Sequence, residues 1–420
     1  MSIQLTEGVN LHVLPSKKYK TVRIVAKFCA PLNKKSITKR ALISSLIETN
    51  SKKYPTQTAL RSELSHLYGA SFGTAVSKKG TFHILTVSLN VVNEKYLTMG
   101  DSVLSEAIAF LKEVIFQPNV LNGHFDEETF EREKENLVNY YDSIADDKQS
   151  YASLELQKLF FEDKGQQTPS IGTKQDLADL TATSLYEYYQ EMLLNDQVDL
   201  YVLGDVNENE IAEKFKEFPF KARKKMAQTA FYSEPPVEEV ILKTERQEIT
   251  QAKFNLGYGT DVFYHQANYY AGQVFNGLFG GFPHSKLFTN VREKESLAYY
   301  ASSSLDTFRG MLIVQTGIDS QKMEQVKKIV TLQLKEIQSG NFTDEAINQT
   351  KEMLKNQLLQ SEDNSGAIIE RIYANQLAKG EIISLEDWLA NIDKVTKEDI
   401  MDVANHVKLK AAFFLSGEVK

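Results

Sequence analysis

The side chains best suited to metal or proton chemistry are seven histidines: His12, His66, His83, His124, His265, His284 and His406. A helix grips a metal with two histidines four residues apart, so that both lie on one face. The nearest two here, His66 and His83, are 17 residues apart, so no pair has ligand spacing. Cys29 is the sole cysteine, which excludes an internal disulfide and any CxxC redox or metal motif, and its place at the end of an apolar alternation reads as a small buried apolar residue. Gly277, Gly280 and Gly281 precede Lys286, but Leu287 follows that lysine, so there is no GxxxxGK[ST] phosphate loop and the glycines signal tight backbone turning. His284, in the same loop, reads as a surface polar residue without a role. The charged run Asp126 to Glu135 could be a recognition surface for basic peptides. It reads more simply as the solvated start of a helix, with acids in its first turn and an i,i+4 pair between Glu128 and Arg132.

The elements that would carry these groups can be read from periodicity. Thr21 to Phe28 alternates, with Val22, Ile24, Ala26 and Phe28 on one face, as in a half-buried strand. Arg40 to Glu48 has helical spacing, but Ala41, Leu42, Ile43, Leu46 and Ile47 make most of its circumference apolar, which predicts a helix enclosed by other elements. Phe82 to Val92 reads as a strand, Asp101 to Val114 as a helix and Phe125 to Asp146 as a long amphipathic helix. Strands and helices alternating in this way predict layers of α and β structure.

With 420 residues, 42% hydrophobic and 25% charged, the chain has the composition of an ordinary globular protein of several domains. Its 48 basic residues against 56 acidic ones leave a net charge of −8, and the Arg223, Lys224, Lys225 cluster is its main basic block, which argues against a nucleic-acid partner. The first residues form no apolar signal segment and nowhere do about 18 apolar residues run together, so neither a secretory leader nor a membrane span is expected. A cytoplasmic setting is the expectation.

An internal repeat organises the whole. Phe125-Asp-Glu-Glu matches Phe342-Thr-Asp-Glu, and at the same offset Lys134, Leu137, Asn139 and Asp146 fall on Lys351, Leu354, Asn356 and Asp363. Independently, Asp199 to Val206 matches Ala412 to Val419, with Gly204 on Gly417 and an acid after each glycine. Two homologous α/β domains are therefore expected, residues 1–219 and 237–420, joined by a linker over 220–236 that contains Pro235-Pro236.

The segment Phe279-Gly-Gly-Phe-Pro-His-Ser-Lys-Leu-Phe-Thr-Asn-Val-Arg-Glu-Lys-Glu-Ser-Leu-Ala-Tyr resembles the "GG...SRLF..LREK.GLAYS" signature of the M16 (pitrilysin, insulinase and mitochondrial processing peptidase) family. Ile171-Gly-Thr, Gly204-Asp-Val and Phe130 to Asp147 extend the likeness over nearly the whole chain. The resemblance implies an α+β fold of two homologous M16-type domains, each a mostly antiparallel sheet packed with helices. It is nearest to a small two-domain bacterial branch regarded as catalytically silent and associated with elongation factor P modification.

Active family members carry HxxEH on a helix, with two histidines and a downstream glutamate holding zinc and the intervening glutamate acting as base. Aligned through Asn50-Ser-Lys-Lys-Tyr-Pro, the motif positions here are Ala41, Leu42, Ile43, Ser44 and Ser45. The third-ligand position falls on Tyr140, or on Asn139 if the frame slips by one. A methyl group and neutral hydroxyls are poor zinc ligands, and Ser44 is far too weak a base to replace glutamate. No cofactor and no metal are expected. Arg292 and Tyr299 match an Arg/Tyr pair that the family places opposite its zinc centre, where a guanidinium and a phenol could grip substrate or a developing oxyanion. The bland alternative pairs Arg292 with a neighbouring acid and packs Tyr299 as a half-buried aromatic. The resemblance thus implies a pseudo-peptidase that joins a homologous chain with intact HxxEH and supplies chamber wall and peptide grip. The alternative is a stand-alone or homodimeric peptide-binding scaffold; an autonomous enzyme is disfavoured by both missing ligand positions.

Overall fold

The computed structural model describes residues 2–97, 102–236, 239–378 and 383–417. Among these, the chain folds as two compact units: Met1–Asp142 with Thr168–Gln228, and Ser143–Gln167 with Thr229–Lys420. No helix is long and apolar enough to cross a membrane.

The first unit is built on β1 (Ser2–Thr6), β2 (Val9–Pro15), β3 (Thr21–Pro31), β4 (Ser71–Lys79), β5 (Phe82–Val92), a short hairpin of β6 (Val120–Leu121) and β7 (His124–Phe125), and β8 (Gln197–Gly204). Its main sheet has the order β1-β2-β8-β3-β5-β4, with β2 and β8 parallel and the other neighbours antiparallel. The apolar set of β3 named above packs into the core with α1 (Lys34–Thr49) and α3 (Val103–Phe116); α2 (Gln57–His66) and α4 (Glu127–Asp146) add Leu60, Leu64, Phe130 and Leu137 to the same core. The helix expected from Asp101 begins at Val103, and Asp101 itself lies outside the described residues.

The second unit carries β9 (Ile241–Gln247), β10 (Ala252–Gly259), β11 (Ala298–Asp306), β12 (Met311–Ile318) and β13 (Lys408–Gly417), in the order β11-β12-β10-β13-β9. Read from β9, this is the order of β2-β8-β3-β5-β4 in the first sheet, and β9 and β13 are again the parallel pair. The repeat extends to side chains. Lys134 reaches the carbonyls of Ala178 and Leu180 (3.3 and 2.9 Å), just before a helix whose N-cap, Thr181, forms a capping box. Lys351 reaches those of Asp393 and Val395 (2.9 and 2.7 Å), just before the capping box of Thr396. In both places the ammonium satisfies carbonyls that a helix end leaves open. Of the matched strand ends, Glu418 and Val419 lie outside the described residues, as does Val237 at the expected start of the second domain.

One segment follows a path that periodicity does not dictate. α5 (Lys148–Phe160) starts at the N-cap Asp147, whose carboxylate accepts from Gln149 N–H, and it packs on β13 and β10 of the second sheet. Ala152, Leu156, Phe160 and Phe161 form a separate apolar cluster there with Met311, Ala411, Phe413 and Leu415. Gly257 of β10 lets α5 lie close, since a Cβ there would come within 2.9 Å of the Phe160 ring.

Candidate functional site

α1 is capped by Asn33, whose side chain accepts from Lys35 N–H, and it is buried on nearly every side. Its burial explains the apolar circumference: Leu42 and Ile43 are fully enclosed, and Ala41 and Ser44 are buried with them. Ser45, half-buried, keeps its hydroxyl on its own helix, 3.5 Å from the Ala41 carbonyl. The Ser44 carbonyl lies 2.8 Å from the Thr74 hydroxyl of β4, and one turn on, the Glu48 carboxylate accepts the Thr74 N–H at 3.0 Å. The three motif positions that would carry ligands and base thus present one methyl and two hydroxyls. Tyr140, on α4, is 52% exposed and Asn139 beside it is exposed as well. Among the described residues no three His, Cys, Asp or Glu side chains come together in a metal-holding group.

What fixes α1 is a buried polar network that no local pattern announces. Arg40 is fully enclosed, and its guanidinium donates to His83 Nδ1 (3.0 Å), the Asp196 carboxylate (2.5 Å) and the Phe28 carbonyl (2.7 Å). His83 passes the connection on through Nε2, which donates to the Ser170 carbonyl at 2.7 Å. This fixes the neutral tautomer, since Nδ1 must accept from Arg40. Burial, then the nearby Arg40 charge, push the His83 pKa down to about 3. Burial opposes the Arg40 charge too, but Asp196 and Tyr188 outweigh it and hold the guanidinium above its ordinary range. Arg223, from the expected linker cluster, is buried and donates to the Asp196 carbonyl at 2.9 Å. The network ties α1 to β3, to β5, to the entrance of β8 and to the loop at Ser170. That loop presses on α1 at Gly172, where φ is +85° and a Cβ would fall 2.1 Å from Thr38 Oγ1.

His12 and His284 are engaged elsewhere. His12 stacks on Tyr201 and lies 3.2 Å from the Asp199 carboxylate. His284 is half-buried rather than a surface group, with Nε2 2.8 Å from the Thr350 hydroxyl and its ring stacked on Phe282, and burial lowers its pKa. Its glycine neighbours mark close packing against β11: a Cβ on Gly280 would stand 2.6 Å from Ser303 N.

Arg292 and Tyr299 lie in the second unit. Arg292 is exposed in the helical turn Phe288–Lys294 and stacks its guanidinium over the Phe288 ring, 4.7 Å from its centre; no carboxylate among the described residues pairs with it. Tyr299 is 71% exposed. It is the extra residue of a bulge in β11, since Ala298 opposes Ile318 while Tyr300 already opposes Gly317. Such a bulge re-aims a side chain out of the regular alternation.

Residues 179–354 match the family model for the peptidase M16 inactive domain. A probable inactive metalloprotease, YmfF, of Bacillus subtilis is 37% identical over 413 residues, covering 98% of this chain and 96% of its own. An uncharacterized zinc protease of the same organism, YmxG, is 25% identical over 360 residues, covering 82% of this chain and 84% of its own. Among solved structures, a conserved protein from Enterococcus faecalis V583 superimposes with a TM-score of 0.96 at 52% identity, over 100% of this chain and 99% of that one.

Proposed function

The chain belongs to the peptidase M16 family, on its catalytically inactive side, and we propose that it serves as the silent subunit of a zinc peptidase, paired with a homologous chain that carries an intact HxxEH motif. In this reading the partner holds the metal and performs every metal-bound step of peptide hydrolysis. The silent chain supplies part of the chamber wall and grips the peptide with Arg292 and Tyr299. The observation that carries it is a contrast within one molecule. Ala41, Ser44 and Ser45, at the positions the resemblance gives to a zinc motif, offer no zinc ligands, while Arg292 and Tyr299 are exposed and, among the described residues, uncommitted to any acid. A guanidinium and a phenol held in the open can donate to an oxygen that gains charge in another chain's reaction. The presence in one bacterium of both an inactive relative and a zinc protease relative supports such a pairing. The buried Cys29, which forms no disulfide, suits a cytoplasmic setting.

The test is to mix the purified chain with an HxxEH-bearing homologue from the same genome. A stable mixed complex is expected, with peptide cleavage that requires both chains and falls at least about tenfold with Arg292→Ala. Full cleavage by the homologue alone, or cleavage unchanged in both Arg292→Ala and Tyr299→Phe complexes, would refute it.

A further inference from the structure

The correspondence between the two sheets fails at one edge. In the first sheet the outer side of β2 is covered by antiparallel β1, with Ser2 opposite His12 and Thr6 opposite Val9. Its counterpart β9 has β13 on one side and, among the described residues, no strand on the other. An open edge presents a row of peptide N–H and C=O groups shaped to accept another strand, and proteins ordinarily blunt it. This one begins with two exposed apolar residues, Ile241 (42%) and Leu242 (49%), and exposed Val240 (49%) precedes them.

The residues of β9, Ile-Leu-Lys-Thr-Glu-Arg-Gln, are complementary to themselves when reversed. A twofold axis through Thr244, perpendicular to the sheet, sets two copies antiparallel over the whole strand. Lys243 then faces Glu245 of the second copy on one side of the sheet, and Leu242 lies along the stem of Arg246 on the other. Opposite charges directly across a pair are favourable and like charges are not. Moving the axis to Lys243 or to Glu245 would set identical charges against each other, so the charge order selects the register that also pairs the full strand. The groups involved are already partly ordered: Lys243 Nζ donates to Glu155 at 2.8 Å and Tyr151 donates to Glu245 at 2.7 Å, both from α5. α5 itself packs over β13 and β10 and reaches β9 through these side chains.

We propose that β9 pairs with β9 of a second copy of this chain, so that the two second-unit sheets join into one across a twofold axis. The inference does not depend on the zinc-bearing partner, whose association is read separately by cleavage in the mixed complex. Sedimentation equilibrium of the full chain is expected to show twice the chain mass, dissociating on dilution. Leu242→Arg sets two pairs of like charges against Arg246 and is expected to weaken the dimer about tenfold or more. Thr244→Arg, on the axis, is expected to act in the same direction. Leu242→Glu faces Arg246 with an opposite charge and is expected to keep the dimer, whereas an unspecific apolar contact would lose it. Both positions, Leu242 and Thr244, are exposed, and a thermal melt checks that each variant remains folded. A wild-type monomer at every concentration would overturn the proposal. So would a dimer untouched by Leu242→Arg and Thr244→Arg, or one lost equally with Leu242→Glu and Leu242→Arg.

Discussion

Lowering the pH from about 7.5 to about 5 should cost the first unit about 2 kcal/mol through His83 alone. The perturbation acts on a ring that is fully buried, accepts from Arg40 and donates to Ser170, so protonating Nδ1 would set two cations against each other. The folded pKa, about 3, lies below the ordinary 6.5. The unfolded chain therefore takes up the proton first. The contribution is fully present above about 6.5 and is lost as the pH falls toward about 3, at roughly 1.4 kcal/mol per pH unit once the unfolded ring is charged. His83→Gln keeps an acceptor and a donor but has nothing to titrate. It should lower stability by about 1–3 kcal/mol at neutral pH. Its deficit should then shrink by about 2 kcal/mol at pH about 5, because the wild type loses what the variant never had. Hydrogen exchange of peptides from α1 and β5, corrected for intrinsic rates, reads this in the unit concerned. It is preferable to a global melt of a two-unit chain, which need not unfold in one step. A deficit that stays constant or grows on acidification would refute the assignment of a neutral, Arg-facing His83.

Other outcomes follow from the same contacts. Arg40→Leu leaves the Asp196 carboxylate buried without its partner and should cost about 3–5 kcal/mol, seen as a lower urea midpoint for the first unit; a loss under about 1 kcal/mol would mean the network is not holding α1. Gly172→Ala forces a left-handed backbone and a clash with Thr38, and should cost about 1–3 kcal/mol in the same assay. Glu234→Ala removes the counter-charge of Lys410, an ion pair at 3.1 Å with both side chains almost fully enclosed, leaving its ammonium only the Pro235 carbonyl to donate to, and should destabilise the second unit by about 3 kcal/mol. Trp388, the single tryptophan, reports on that unit by fluorescence. Arg292→Ala and Tyr299→Phe should each change the stability of the isolated chain by less than about 0.5 kcal/mol, because neither group is buried; a larger shift would make them packing residues.

The enclosure of α1 was legible in the sequence because Ala41, Leu42, Ile43, Leu46 and Ile47 leave no polar face wide enough for solvent. The repeat was legible for a similar reason: Lys134 and Lys351 are conspicuous charges at one phase of two matched helices, and both close the same kind of helix end. The Arg40 network was not legible, since its partners come from positions 28, 83, 170 and 196, and only the fold brings them together. Arg40 beside the apolar run Ala41 to Ile47 says only that a buried cation needs a counter-charge, not where that charge comes from. The placement of α5 was equally hidden, because an amphipathic pattern states that a face will be buried but not against which sheet. Tyr299 shows a further limit. Strict alternation would put it on a definite face of β11, and the bulge that turns it outward depends on the register with β12.

If α1 has the place of a zinc-site helix but only Ala41, Ser44 and Ser45 where ligands and base would stand, the chain cannot hold zinc. This is tested most directly by dialysing the purified full chain against zinc, removing free metal and measuring bound zinc by mass spectrometry. Much less than one zinc per chain and no peptidase activity from the chain alone are expected. One zinc per chain, lost together with peptidase activity on adding a chelator and on replacing Ser44, Ser45 or Tyr140, would contradict that expectation.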